Sequence, residues 1–133
     1  MDLNKRFQSQ HNTRIALDRI RRDIHCASDA TSYTQSFVTL KSSFCGDVSW
    51  CTAAVPAFTY RYALYRKSGL TCTSSTGTRI ADYLTTGNVF TSFTHATGAL
   101  AALSVDFPTG LKRNGRAKYE LKDTIYMRNS TRS

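Results

Sequence analysis

Between Asp2 and Ala27 the chain has neither proline nor glycine, and Leu3, Phe7, Leu17, Ile20, Ile24 and Ala27 recur at helical intervals. Spacings of three and four residues put these side chains on one face of an α-helix, which must then find a core to pack against. Gln10, His11 and Arg14 interrupt the stripe in its first half, and Lys5, Arg6, Arg19, Arg21 and Arg22 occupy the other faces. The half from Leu17 to Ala27 is therefore expected to be the better buried. Ser28, Asp29, Thr31 and Ser32 compete for backbone hydrogen bonds and predict a stop near Cys26 to Ser28.

Beyond that stop the pattern changes to Thr, Ser, Tyr, Phe and Val with a period of two, the residues that suit a pleated, half-buried surface. Strands are expected at Ser36 to Ser43, Val48 to Ala54 and Tyr60 to Arg66, with Gly46-Asp47 as a turn and Pro56 breaking the pattern between the last two. Ser68 to Thr78, rich in Ser and Thr, reads as a loop carrying Cys72. Ile80, Tyr83 and Leu84 suggest a short helical turn, and Val89 to Phe93 a short edge strand. Ala99 to Phe107 and Lys118 to Met127 alternate well and flank Asn114-Gly115, a dipeptide that accepts the positive φ angles of a hairpin turn.

With 133 residues the chain fits one domain, 1–133, divided into a helix over 1–27 and a β-rich head over 33–128. The fold class expected is α+β: a long N-terminal helix packed on an antiparallel sheet of about four to six strands, braced by disulfides. Cys26, Cys45, Cys51 and Cys72 contain no Cys-x-x-Cys pair, and of the three histidines only His25 adjoins one of them. A structural zinc site is accordingly not expected, whereas two disulfides and an oxidising compartment are. No metal, catalytic residue or cofactor is assigned. The net charge of +9 is concentrated at the two ends, with six basic residues before Asp23 and seven from Lys112 onward, a balance that favours an anionic neighbour without choosing among nucleic acid, headgroups and cell-wall polyanions.

One long helix followed only by strands resembles the type IV pilin and type II secretion pseudopilin family. The stretch Arg14 to Ala27 looks like the part of a pseudopilin helix that emerges from the membrane, with an Arg-rich, Leu/Ile-striped run ending in Asp-Ile and a small residue. Tyr62 to Arg66 and Asp123 to Asn129 are similar to strand signatures of minor pseudopilins. The family's processing site, and the apolar Glu-bearing helix after it, are not in the sequence; the chain reads as a soluble head whose membrane anchor has been removed. The resemblance implies a structural subunit, not an enzyme, that assembles with other pilins and an inner-membrane platform. It implies an extracytoplasmic location in a cell-surface or periplasm-spanning filament. Lys5, Arg6 and Arg14 would then face anionic headgroups, and the isolated domain would be monomeric.

Cys26 sits at the end of the helix and Cys45 at the end of the first expected strand, while Cys51 lies in the second and Cys72 beyond the third. The expected pairs are Cys26 with Cys45 and Cys51 with Cys72. Two other functions compete. A DNA-binding minor pilin would use the basic hairpin of Lys112, Arg113, Arg116 and Lys118, four charges able to track phosphates without reading sequence. A small secreted ribonuclease would need two histidines and a lysine, for which His11, His95 and Lys41 are the candidates. With a single glutamate, Glu120, and none of the common hydrolase or phosphate-binding motifs, no other catalytic constellation can be recognised.

Overall fold

The computed structural model describes residues 3–58, 61–110 and 119–130. Helix α1 (Leu3–Cys26) is followed by eight strands: β1 (Asp29–Thr34), β2 (Phe37–Lys41), β3 (Val48–Ala54), β4 (Tyr62–Ser68), β5 (Thr78–Leu84), β6 (Phe90–Thr94), β7 (Ala102–Thr109) and β8 (Tyr119–Tyr126). All pair antiparallel. The first five run side by side in chain order. Then β5 and β6 follow one another along one edge of β7, pairing with it at Thr109 and over Ala102–Val105, while β8 takes its other edge. The sheet curls into a half-barrel.

This corrects the fold class expected from the sequence. The protein is mostly β, with one helix against an eight-stranded curled sheet, not a long helix on a sheet of four to six strands. The difference arises at two places. Asp29–Thr34, expected as a polar stop, is the edge strand β1; an edge strand needs little burial, so its Ser and Thr side chains carry no apolar alternation. Ile80 to Leu84, expected as a helical turn, belongs to β5, where register shifts opposite Tyr62, Leu64 and Tyr65 break the period of two. Ala81 and Leu84 are both buried although three residues apart, which imitates helical spacing.

The helix packs along β5, β7 and β8. Ala16, Leu17, Ile20, Ile24 and Ala27 join Val38, Leu40, Trp50, Leu64, Leu84, Leu103, Phe107 and Ile125 in one cluster. Fully burying a side chain such as Ile20 or Ile24 contributes roughly 1.5–3 kcal/mol. Docking reaches further back than Leu17: Thr13 and Ser9 are buried, and the Thr13 hydroxyl donates to the Ser9 carbonyl at 2.7 Å. These small hydroxyl residues continue the buried stripe where apolar periodicity is lost. Ala102–Tyr126 and Thr109–Tyr119 mark the ends of the β7–β8 pairing, and the expected turn at Asn114-Gly115 lies outside the described residues.

Candidate functional site

Three devices fasten α1 to the sheet. Asp23 accepts hydrogen bonds from Arg66 on β4, through Nε at 2.8 Å and Nη2 at 3.1 Å, and from the Trp50 indole on β3 at 2.8 Å. Arg21 reaches Asp123 on β8 at 2.7 Å. At the C-terminal end, where helix carbonyls lack intrahelical partners, the Cys26 carbonyl accepts from Ser42 Oγ at 3.1 Å and Asn129 Nδ2 at 3.0 Å. Disulfides join Cys26 to Cys45 and Cys51 to Cys72, the pairs expected from their places along the chain. Together the bridges place the folded chain in an oxidising, extracytoplasmic environment.

Further toward the helix N-terminus, the seam between α1 and β5 opens into a cavity of about 400 Å³ lined by Gln8, Ser9, Asn12, Arg61 and residues 79–83. Its floor is an organised ion pair. Arg61 holds Asp82 through Nε at 3.1 Å and Nη2 at 2.8 Å, and lies over the rings of Phe58 and Tyr83 at 4.7 and 4.1 Å. Arg79 approaches the same carboxylate at 3.4 Å, and the Tyr83 amide donates to it at 2.6 Å. Burial alone would raise the Asp82 pKa. The Arg61 hydrogen bond, the Tyr83 amide and the charges of Arg61 and Arg79 outweigh it and hold the carboxyl below its ordinary value. Tyr83 adopts φ +62°, a conformation costing on the order of 1 kcal/mol for a residue with a side chain, which the Arg61 stack and the Asp82 bond keep in place.

No protein-family profile, curated protein or solved structure matches the chain.

The residues singled out in the sequence fall in separate places. Lys112, Arg113, Arg116 and Lys118 lie outside the described residues, as do the side chains of Lys5 and Arg6; Arg14 is exposed on α1. Of the ribonuclease candidates, His95 contacts Asp29 at 3.2 Å, and Asp29 faces Lys41 across the β1–β2 pairing. His11 is fifteen residues before Cys26 on the same helix, roughly 22 Å away at 1.5 Å per residue. The structure therefore does not gather the three. Among the described residues no cluster of His, Cys, Asp and Glu is arranged to hold a metal, and no helix is long and apolar enough to cross a membrane.

Sequence reasoning missed the Arg61–Asp82–Arg79 group. An aspartate inside a strand is a depleted choice, but the helical reading of Ile80 to Leu84 concealed it. His25, beside Arg21, Asp123, Ile125 and Arg128, lines a separate depression. Burial, then the charges of Arg128 and Arg21, lower its pKa from the ordinary 6.5 against the opposing pull of Asp123. The unfolded imidazole therefore binds a proton more readily than the folded one. By this route stability is complete above about pH 6.5 and falls as the pH drops through the unfolded value toward the folded one. Urea midpoints at pH 7.5 and pH 5 are expected to differ less in His25→Gln than in the parent protein; an equal difference would contradict this account.

Proposed function

We propose that the chain is the head of a structural, non-enzymatic filament subunit of the pilin or pseudopilin kind, which works by assembling with like subunits and an inner-membrane platform. The observation that carries this reading is the fastening of α1. The helix is joined to the head by a shared carboxylate at Asp23, by the Arg21–Asp123 pair and by a covalent bridge at Cys26. A subunit that polymerises through its N-terminal helix needs such a connection, because load on the helix must reach the head without peeling it from the sheet. The outer face of α1 also keeps Ile15 about half exposed, an apolar side chain available to a neighbouring helix. In this setting Lys5, Arg6 and Arg14 would meet anionic headgroups before the subunit enters the filament.

The test uses cells that make the protein in its natural context. The chain is expected to sediment with filaments sheared from the cell surface or held in the envelope. Ile15→Glu is expected to lower that fraction several-fold while leaving the Tm of the purified head unchanged. Recovery of the chain only as a free soluble monomer would overturn the proposal.

A further inference from the structure

We propose that the seam between α1 and β5 is an oxyanion-binding site, taking a carboxylate or a phosphate. The observation that points to a ligand is Ser9. Its residue is only 6% exposed, it lines the cavity, and its hydroxyl has no hydrogen-bond partner. A buried hydroxyl without a partner is costly and uncommon in folded proteins; the Ser9 Oγ is itself closed off from solvent, and a turn of this short side chain about Cα–Cβ toward the cavity would let a ligand oxygen accept its proton.

The rest of the lining fits the same chemistry. The Gln8 and Asn12 side-chain amides, each able to donate two hydrogen bonds, sit on the same stretch of α1. Opposite them Arg61 and Arg79 bring two positive charges against the single negative charge of Asp82, which leaves the cavity with a net positive charge. Arg61 is immobilised by its bidentate bond and its two aromatic neighbours. Arg79 touches the carboxylate through one nitrogen at 3.4 Å and is 59% exposed, so its other N–H groups can turn to an incoming anion. Guanidinium matches the planar geometry of carboxylate and phosphate oxygens, and such charge-assisted bonds are the stronger class.

The surroundings favour an anion too. Past Ile80 the seam continues into a second depression lined by Arg19, Lys67, Ser68, Thr76 and Thr78. Arg19 and Lys67 have no ion-pair partner among the described residues, and their field would draw an anion toward the cavity.

Backbone amide shifts of the whole chain, followed during titration with inorganic phosphate and separately with N-acetyl-aspartate, test the site. Saturable changes are expected at residues 8–13 and 79–83 in at least one arm, and the stronger arm identifies the source as phosphate or carboxylate. Arg79→Gln is expected to weaken binding about tenfold, the usual scale for losing one charge-assisted contact. Ser9→Ala is expected to weaken it several-fold while leaving Tm equal or higher, because the hydroxyl has no partner in the unliganded protein. No saturable change at the seam in either arm, or binding that survives both substitutions unaltered, would overturn the proposal.

Discussion

Asp23→Ala is expected to destabilise the protein by about 2–3 kcal/mol, less than the loss of one partner from a fully buried ion pair because Arg66 keeps contact with solvent, and to lower Tm on the order of 5–12 °C. The carboxylate has two separate duties. It neutralises Arg66, whose side chain is 21% exposed, and it accepts the indole N–H of the fully buried Trp50. Alanine leaves the buried indole N–H without an acceptor and leaves Arg66 to find its partners in solvent. Asn at this position keeps an oxygen for the indole but removes the charge, so its cost should fall between those of parent and alanine. Arg66→Met together with Asp23→Ala removes the lone cation and should recover part of the loss, giving a favourable coupling energy in a double-mutant cycle. Urea unfolding of the four proteins measures it. Additive losses would mean that Asp23 acts through Trp50 alone.

What the sequence made legible, and what it concealed, follows from how far each signal depends on distant partners. The helix was readable because Leu17, Ile20, Ile24 and Ala27 all face one continuous core, and the structure ends it at Cys26. Val48–Ala54 was readable for the same reason. Ser9 and Thr13 were not, since their burial depends on the close approach of α1 to the sheet, where Ser9 lies beside residues 79–83 of β5, far along the chain. The edge strand β1 was hidden by its polar side chains, and β5 by register shifts that turn a period of two into an apparent helical repeat. The Arg61–Asp82–Arg79 group went unseen because one charged residue just before β4 and two on β5 carry no spacing rule; only the pairing of β4 with β5 makes them neighbours.

Removing both disulfides is expected to cost the most of any change: about 3 kcal/mol for each loop of some twenty residues, hence roughly 6 kcal/mol in total. That is a large share of the 5–15 kcal/mol typical of a folded domain. The two bridges, which span 19 and 21 positions, should be nearly equal in this entropic contribution but unequal in their local effect. Cys51–Cys72 ties β3 to the segment between β4 and β5, so Cys51→Ser with Cys72→Ser should lower Tm while leaving α1 protected. Cys26–Cys45 ties the helix end to the segment between β2 and β3, and without it the helix C-terminus is held by the Ser42 and Asn129 hydrogen bonds and by Asp23. Amide exchange around Ile20 and Ile24 should then quicken well beyond the change seen for the other pair. Under the proposed filament role, load passing through the helix would make that bridge the more critical of the two, so the Cys26→Ser, Cys45→Ser protein should lose filament incorporation at temperatures where its sheet is still folded. Equal exchange and equal incorporation for the two bridge variants would show that Cys26–Cys45 acts only on the unfolded chain.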